Sequence, residues 1–427
     1  MDLVEELGWR GMLQDITPGT REQLAREMTT GYVGFDPTAD SLHIGSLVPI
    51  LLLLHLQRSG HRPIALVGGA TGMVGDPSGK SEERNLLDEA TLQRNVAGIR
   101  AQLERFLDFN PERPNAAMMA NNYDWFRDMG FITFLRDVGK HITVNYMMSK
   151  DSVRKRIEGE TGISYTEFAY QLMQGYDFYW LHAHHRCKLQ MGGSDQWGNI
   201  TTGIELVRRK AGGEAFALTC PLVTKADGGK FGKTEKGNVW LDPARTSPYQ
   251  FYQFWLNAAD ADAEKWIRCF TLLPKEEIES LTASHLADPA ARILQRRLAR
   301  EVTVFVHGQA EYESARATTE KLFSEDPVAA LRNMDEQEIL AAMEGVPTHR
   351  VEAATLAAGI DIVSLLALSG IFPSKGEARK TIQGGGVSLN REKVADAGQT
   401  VDATGLLAGK YLLVSKGKKN HYLLIAE

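Results

Sequence analysis

Two short segments, far apart in the chain, carry residue types suited to handling a triphosphate. Residues 42–46 read Leu-His-Ile-Gly-Ser, with an imidazole at His43 and a glycine at a predicted helix start. Residues 230–234 read Lys-Phe-Gly-Lys-Thr and place two lysines on a glycine-containing loop. Together they could hold a triphosphate from two sides while an acid attacks its α-phosphorus. This pairing predicts activation of a carboxylate by ATP.

The first segment needs a strand before it and a helix after it. Residues 32–35 are strand-like, residues 49–59 are helical, and residues 63–67 form a second apolar strand. Proline is tolerated only in the first turn of a helix, so Pro49 predicts a helix start near Gly45 or Ser46. Strand, helix and strand in this order predict a parallel sheet with a right-handed crossover, and therefore an α/β fold.

The predicted helix start would supply unpaired N–H groups and the positive end of a dipole. His43 and Thr38 can donate to phosphate oxygens, and Gly45 leaves room for the nucleotide. Taken alone, the same residues also fit a loop histidine beside a capping serine. The lysine loop would be mobile and close over pyrophosphate, although alone it also fits a solvated surface loop.

Further along, residues 68–81 form a glycine-rich loop that ends in Gly-Lys-Ser but has neither Walker nor GxGxxG spacing. Because open α/β sheets bind ligands at the carboxyl ends of their strands, Asp76 in this loop could hold an ammonium group. An ordinary turn is the alternative. A helix over residues 161–181 would place Tyr170, Gln174 and Asp177 on one face.

Other stretches yield plainer predictions. Residues 81–109 and 248–323 look helical, residues 190–199 look like a loop, and residues 324–358 like a helical hinge. The cluster of His182, His184, His185 and Cys187 suggests a metal, but its spacing matches no standard zinc pattern. We therefore interpret it as a polar helix end.

Composition limits the class of protein. Of 427 residues, 43% are hydrophobic and 24% charged, and no run approaches the ~20 apolar residues of a membrane span. The N-terminus lacks a secretory signal, and three cysteines without paired spacing indicate reduced thiols in a cytoplasmic protein. The net charge is −6, yet residues 361–427 hold nine Lys/Arg against six Asp/Glu. A basic tail on an acidic body predicts an anionic partner.

Four runs together resemble the bacterial tyrosyl-tRNA synthetases, a family of class I aminoacyl-tRNA synthetases. They are residues 32–45, 68–79, 192–199 and 230–234, and the likeness extends over essentially the whole chain. The resemblance implies four parts: a Rossmann-like catalytic domain with a dimer-interface insertion (1–225), the signature loop and an α-helical anticodon-binding domain (226–325), a linker (326–360), and a small α+β RNA-binding domain of the ribosomal-protein type (361–427).

The resemblance also implies an activity. Such enzymes join L-tyrosine to ATP, with Mg²⁺, to form tyrosyl-adenylate and pyrophosphate, and then transfer tyrosine to the 3′-terminal adenosine of tRNA(Tyr). They work as homodimers without a tightly bound cofactor, a protein metal site or a membrane. A tryptophanyl-tRNA synthetase or a synthetase-derived RNA-binding protein remains an alternative, and dependence on tyrosine would separate these three.

Carried over position by position, the resemblance assigns roles to residues of this chain. The tyrosine-binding residues are Tyr32, Asp76, Tyr170, Gln174, Asp177 and Gln196. The residues that bind ATP are Asp36, Gly45, Ser46, Gly193, Asp195 and Lys233. The catalytic residues are Thr38, His43, Lys80, Arg84, Lys230, Lys233 and Thr234, and the tRNA-binding residues are Lys375, Arg379 and Lys380. The first signature departs from the family at Ser46, where a second histidine is usual.

Overall fold

The computed structural model describes residues 1–78, 87–159, 162–229, 231–234, 237–322, 326–344, 346–417 and 420–427. The chain forms two compact units. Unit 1 comprises Met1–Arg245 with Ala258–Leu298, and unit 2 comprises Thr246–Asn257 with Ala299–Glu427. Over the residues described, no helix has the length and apolar character needed to cross a membrane.

The strands are numbered in chain order. They are β1 (Thr30–Phe35), β2 (Arg62–Val67), β3 (Met118–Asn121), β4 (Cys187–Gly193), β5 (Phe216–Cys220), β6 (Lys233–Thr234), β7 (Gly237–Asn238), β8 (Thr348–Val351), β9 (Ile360–Asp361), β10 (Val387–Leu389), β11 (Glu392–Lys393), β12 (Thr400–Val401), β13 (Tyr411–Lys416) and β14 (Asn420–Ala426).

The α-helices follow the same rule. They are α1 (Leu3–Trp9), α2 (Thr20–Arg26), α3 (Leu47–Arg58), α4 (Glu89–Leu103), α5 (Tyr123–Phe126), α6 (Phe131–Asp137), α7 (Val144–Met148), α8 (Asp151–Glu158), α9 (Tyr165–His185), α10 (Trp197–Ala211), α11 (Pro248–Leu256), α12 (Asp260–Phe270), α13 (Lys275–Ala287), α14 (Ile293–His307), α15 (Gln309–Leu322), α16 (Pro327–Arg332), α17 (Glu336–Ala342), α18 (Ala353–Ala358), α19 (Ile362–Leu368) and α20 (Lys375–Gln383). Short 3₁₀ helices occur at Ile44–Ser46, Thr71–Met73, Gly139–His141, Ser194–Gln196, Pro289–Ala291 and Ala403–Gly405.

Unit 1 is built on a five-stranded sheet of order β3-β2-β1-β4-β5, in which every neighbouring pair is parallel. The predicted α/β fold is confirmed. Strand order reverses between β1 and β4, and this switch point is where open parallel sheets leave a crevice for ligands. Helix α3 packs on β1, β2 and β4 through leucines that are almost fully buried. Its 3₁₀ lead-in at Ile44–Ser46 agrees with the start predicted from Pro49.

Strand β4 corrects one prediction, because residues 190–199 are not a loop. They supply most of β4, a 3₁₀ turn and the start of α10. A central parallel strand is covered on both faces, so its sequence does not alternate between apolar and polar residues. The glycines of β4 also make the segment resemble a loop. Helix α10 packs closely on α9: a Cβ atom on Gly203 would lie 3.0 Å from the Phe178 side chain.

Other predicted boundaries shift for local reasons. Helix α4 begins only after Asp88, whose side chain caps it by accepting from the Thr91 amide at 2.8 Å. The predicted helix over 248–323 is present as α11 to α15. The predicted hinge over 324–358 contains α16, α17, β8 and α18 in its described part. The four-part domain division as a whole stays a prediction.

Unit 2 contains a second sheet of order β11-β10-β13-β14-β8, antiparallel except where β14 meets β8. The tail therefore carries the separate α+β domain that the sequence predicts, with α19 and α20 packed over it. Because β8 pairs with β14, this sheet includes a strand that precedes residue 361, the predicted start of the C-terminal domain. The side chains of α16 and α17 also pack against β13 and β14 through Leu331, Ile339 and Leu413.

Candidate active site

A cleft of about 370 Å³ opens at the carboxyl ends of β1 and β4, at the switch point of the sheet. Its walls bring together predicted residues that are as far apart in the sequence as Tyr32 and Gln196. The predicted residues that line it are Tyr32, Asp36, Thr38, His43, Gly45, Ser46, Asp76, Tyr170, Gln174, Asp177, Gly193, Asp195 and Gln196. Helix α9 delivers three of them from one face, as its spacing predicts.

The remaining predicted residues are elsewhere. Lys80, Arg84 and Lys230 lie outside the described residues. Lys233 and Thr234 form the short strand β6, and their side chains are also outside the description. The predicted tRNA-binding residues are in unit 2, where α20 holds Lys375, Arg379 and Lys380 exposed while it buries Ala378 and Ile382.

Main-chain hydrogen bonds tie the two signature segments together. The Leu241 amide donates to the Leu42 carbonyl at 2.8 Å, and the Ile44 amide donates to the Val239 carbonyl at 3.0 Å. Val239 in turn donates to the carbonyl of Gly232, inside the lysine loop, at 3.0 Å. The backbone of the lysine loop is thereby anchored beside the histidine segment, as the sequence predicts.

The orientation of His43 is set by its own turn. Its Nδ1 atom accepts from the Gly45 amide at 3.0 Å, so the proton of the neutral imidazole is on Nε2. A Cβ atom on residue 45 would lie 2.7 Å from the His43 ring. Glycine is therefore required here to leave the ring in place, in addition to any room it leaves for the nucleotide.

The predicted supply of unpaired amides at this helix start is wrong. Besides the Gly45 amide, the Ile44 amide is bound by Val239 and the Ser46 amide donates to the His43 carbonyl at 2.8 Å. The Ser46 hydroxyl lies 3.5 Å from the His43 amide and closes the turn. Side chains, rather than helix amides, are thus the donors that this segment offers to a phosphate.

The closed end of the cleft holds a buried carboxyl and a buried phenol. Asp177 accepts from Trp125 Nε1 at 2.9 Å and from Asn122 Nδ2 at 3.1 Å. Tyr32 is 1% exposed, and its hydroxyl has no hydrogen-bond partner among the residues described. A buried polar atom without a partner costs free energy unless a ligand satisfies it. This end therefore fits a ligand with a hydroxyl that both donates and accepts.

Burial raises the pKa of Asp177 to about 8, against the opposing hydrogen bonds from Asn122 and Trp125. Between pH ~4 and ~8 the folded, ligand-free protein holds this proton and the unfolded chain does not. Unfolding then releases a proton, so the contribution of Asp177 to the free energy of unfolding falls as pH rises and is fully lost above pH 8.

We expect Asp177→Asn to remove this pH dependence. Relative to the wild type, the free energy of unfolding of the variant should rise by about 1.4 kcal/mol per pH unit between pH 5 and 7. Urea unfolding of the ligand-free proteins at pH 5, 6 and 7 measures this difference. A difference that does not vary with pH would mean that Asp177 is ionised throughout.

Midway along the cleft, acceptor oxygens surround a site suited to an ammonium group. Asp76 is 7% exposed and accepts from Gln196 Nε2 at 2.7 Å and from the Ser78 amide at 2.9 Å. The buried Tyr170 hydroxyl donates to Asp36 Oδ2 at 3.0 Å. Burial, followed by the charges of Asp36, Asp76 and Asp177, raises the pKa of the Tyr170 phenol well above its usual value. The local potential is negative and would attract a cation.

Several residues in this network were not predicted from the sequence. Thr71 donates to Asp36 Oδ1 at 3.0 Å, and Asn122 donates to Thr71 at 3.0 Å as well as to Asp177. Asn199 donates to Gln174 at 3.0 Å. Thr71 and Asn122 follow the carboxyl ends of β2 and β3, so the rule that located Asp76 could have found them. Only the fold reveals that they join the two ends of the cleft.

The histidine cluster near residue 185 forms no metal centre in the described part of the chain, where no group of three His, Cys, Asp or Glu side chains could hold an ion. The Nδ1 atom of His182 lies 2.9 Å from the Cys187 carbonyl oxygen, and His184 stacks on Trp180. The interpretation as a helix end agrees with these contacts, since α9 ends at His185.

Comparison with known proteins identifies relatives over the full length. The family model of class I tRNA synthetases (W and Y) matches residues 24–324, and the model of the tyrosine–tRNA ligase SYY-like C-terminal domain matches residues 338–424. The tyrosine–tRNA ligase of Porphyromonas gingivalis strain W83 is 62% identical over 430 residues and that of Bacteroides thetaiotaomicron 60%, with 100% of both chains covered in each case.

A solved structure shares the fold of three quarters of the chain. The C-terminally truncated mitochondrial tyrosyl-tRNA synthetase of Aspergillus nidulans superposes with a TM-score of 0.67 at 30% identity, covering 75% of this chain and 94% of that one. The resemblance drawn from four short runs is confirmed at the level of family and fold.

Proposed function

Because the chain belongs to the tyrosyl-tRNA synthetases of class I, we propose that it activates L-tyrosine with ATP and transfers the tyrosyl group to the 3′-terminal adenosine of tRNA(Tyr). The observation that carries this proposal is the closed end of the cleft. There, the unpartnered hydroxyl of Tyr32 lies in the electrostatic field of Asp177. The phenolic hydroxyl of tyrosine would satisfy both groups at once.

The rest of the amino acid would follow the cleft outward. With the phenol at Asp177, the ammonium group would meet Asp76, Tyr170 and Gln174, and the carboxylate would point toward Gln196 and the cleft mouth. Phenylalanine would leave the buried Tyr32 hydroxyl without a partner and would offer Asp177 no hydroxyl, which lowers its affinity. Tryptophan presents an N–H donor and no acceptor, so it would serve only one of the two groups.

Activation requires no covalent attachment to the protein. A tyrosine carboxylate oxygen forms a bond to the α-phosphorus of ATP while the bond from that phosphorus to the β-phosphate oxygen breaks, and pyrophosphate leaves. Negative charge grows on the departing phosphates. We assign stabilisation of this charge to His43 Nε2–H and the Thr38 hydroxyl, and ribose binding to Asp195 beside Gly193. The protein's contribution is positioning and electrostatic stabilisation.

Lysines from the loops complete the phosphate site in this proposal. Lys230, Lys233 and Thr234 are within two residues of Gly232 in the chain, and the Gly232 carbonyl accepts from the amide of Val239, which is bonded to the histidine turn. This closeness in sequence supports a position near the phosphates. Lys80 and Arg84 are assigned to the same task by family resemblance. ATP would carry Mg²⁺, which neutralises phosphate charge. Mg²⁺ is usually held by substrate phosphates with one or two carboxylates, and Asp36 and Asp195 are carboxylates that line the cleft.

The first test is pyrophosphate exchange into ATP with tyrosine, phenylalanine or tryptophan added separately, in Mg²⁺ and without tRNA. We expect exchange with tyrosine far above that with phenylalanine or tryptophan. Exchange with tryptophan instead would indicate a tryptophanyl-tRNA synthetase. An absence of exchange with all three amino acids would favour a synthetase-derived RNA-binding protein.

We assign tRNA binding in unit 2 to the exposed cations of α20. Helix α20 presents Lys375, Arg379 and Lys380 to solvent from a rigid support, and the tail as a whole is basic. Loss of a phosphate contact of this kind weakens binding to all RNA sequences about equally and reduces the salt dependence of binding.

We expect Lys375→Glu/Arg379→Glu to lower kcat/KM for tRNA in aminoacylation about tenfold or more, with pyrophosphate exchange unchanged. The matched control is Glu352→Lys, a charge reversal at an exposed position of the same unit. Charge reversal is preferable to deleting residues after 361, because that deletion would leave β8 unpaired and uncover buried Leu331 and Ile339. An unchanged kcat/KM would exclude this face as the tRNA contact.

We also propose that the chain is a homodimer. Large apolar side chains are exposed within a short stretch of the sequence, residues 131–165, and include Phe131 (61% exposed), Ile132 (74%), Val144 (58%) and Tyr165 (63%). Such a concentration of exposed apolar residues marks an interface.

Ile132→Glu should raise the dimer dissociation constant at least about tenfold, since burying one charge costs more than a kcal/mol. Sedimentation equilibrium measures this dissociation constant. Leu368→Glu, at a similarly exposed leucine in the C-terminal domain, is the control. Equal masses for the two variants and the wild type would place the interface elsewhere.

A further inference from the structure

A stack of three rings runs from the closed end of the cleft to the protein surface. The Trp125 and Trp180 rings are parallel within 15° with centroids 4.2 Å apart. On the other side of Trp180, the ring of His184 is parallel within 17° at 4.3 Å. His184 is exposed, whereas Trp125 and Trp180 are partly buried. The stack thus occupies the outer side of the wall that holds Asp177.

The inner end of the stack is a hydrogen-bond donor. Trp125 Nε1 donates to Asp177 Oδ1 at 2.9 Å, while the other oxygen, Oδ2, accepts from Asn122. Asn122 is fully buried and is held by its bonds to the Ala70 amide and Thr71. Trp125 lies on α5, a helix of only four residues. One turn of helix imposes little order on a side chain, so the Trp125 ring needs support from outside its own element.

Helix α9 provides this support. It carries Asp177, Trp180 and His184 at spacings of three and four, which places their side chains along one face. The residue that receives the hydrogen bond and the residue that stacks on the donor are therefore fixed to one rigid helix. Movement of α5 relative to α9 would break both the stack and the hydrogen bond.

We propose that Trp180 is a positioning residue for the tyrosine-hydroxyl site, acting through Trp125 on the orientation of Asp177. This inference rests on the proposed role of Asp177 in binding the phenol. This arrangement gives a structural role to one of the histidines after Trp180, because His184 covers the outer face of the Trp180 indole. The orientation of Asp177 thus depends on rings that are outside the proposed contacts with substrate.

The test compares Trp180→Leu, which removes the ring face, with Trp180→Phe, which retains it. Loss of one aromatic pair corresponds to about a 3- to 10-fold change. We expect Trp180→Leu to raise the KM for tyrosine in pyrophosphate exchange by this factor, to lower tyrosine-over-phenylalanine selectivity similarly, and to leave the KM for ATP unchanged. In Trp180→Phe, the KM for tyrosine and the tyrosine-over-phenylalanine selectivity should return most of the way to the wild-type values. The control is Trp9→Leu, a partly buried tryptophan remote from the cleft.

A second readout follows the structure without using activity. The Nε1–H signal of Trp125 in the ¹⁵N-labelled protein, assigned with Trp125→Phe, should exchange with solvent at least about tenfold faster in Trp180→Leu, because its hydrogen bond to Asp177 opens more often. Trp180→Phe should exchange nearly as slowly as the wild type. Unchanged exchange in Trp180→Leu, or a rise in the KM values for tyrosine and ATP together, would overturn the proposal.

Failure of this inference is separable from failure of the proposed function. If Asp177→Asn leaves tyrosine kinetics unchanged, the phenol-binding role of Asp177 is wrong and the inference fails with it. If Asp177→Asn impairs tyrosine use while Trp180→Leu leaves KM, selectivity and Trp125 exchange at wild-type values, the site stands and only the inference about Trp180 is wrong.

Discussion

His43→Ala is expected to lower the kcat of tyrosine activation about 10²- to 10³-fold while the KM for tyrosine changes less than about threefold. The reason lies in the tautomer that the turn selects. Nδ1 accepts from the Gly45 amide, so the neutral ring carries its N–H at Nε2, and His43 lines the cleft. In the proposed mechanism, the phosphate that this group contacts gains negative charge only as pyrophosphate departs. An interaction that strengthens in the transition state changes kcat and leaves ground-state binding of tyrosine intact.

Single-turnover formation of tyrosyl-adenylate is the appropriate measurement, because product release then plays no part. His421→Ala, at an exposed histidine of the C-terminal domain, is the control and should react at the wild-type rate. Gly45→Ala offers an independent approach to the same group, since its Cβ would push the His43 ring aside. A rise in the KM for tyrosine with kcat preserved would remove His43 from the reaction and make it a structural residue of the turn.

The second large effect is expected at the opposite end of the cleft. Asp177→Asn should raise the KM for tyrosine about 10- to 100-fold, leave the weak activation of phenylalanine unchanged, and so reduce selectivity by the same factor. The carboxyl group accepts from two donors, Asn122 and Trp125. An amide has one acceptor oxygen, so its NH₂ group must face one of these donors. The site then loses both a hydrogen bond and the acceptor that the phenol requires.

Pyrophosphate exchange with tyrosine and phenylalanine in parallel gives the selectivity directly, and far-ultraviolet circular dichroism verifies that the variant is folded. Gln171→Asn is a useful control, since Gln171 is buried on the same helix and does not line the cleft. An Asp177→Asn protein that is folded and uses tyrosine as well as the wild type would exclude this carboxyl from the pocket.

Local sequence signals were sufficient for the elements that carry the first signature. Pro49 located the start of α3, and the alternation of strand and helix predicted the parallel sheet. The spacing of Tyr170, Gln174 and Asp177 placed all three in one cleft. These predictions worked because each depends on interactions within a few residues, which the sequence displays directly.

The parts that were missed depend on neighbours distant in sequence. The sequence of β4 resembles a loop because the environment of this strand, with β1 on one side and β5 on the other, is set by the fold. The amides of the helix start were expected to be free, yet Val239 occupies that of Ile44 across nearly two hundred residues. Trp125 and Asn122 can donate to Asp177 only because β3, which precedes them, pairs with β2. No local pattern encodes such pairings.

The main-chain link between the two signature segments has a consequence for biosynthesis. Because the Leu42 carbonyl accepts from the Leu241 amide, the proposed phosphate site can form in full only after residue 241 has left the ribosome. Loop closure over such a length is slow compared with local helix formation. A nascent chain that already carries β1, α3 and the phenol pocket would therefore not yet consume ATP.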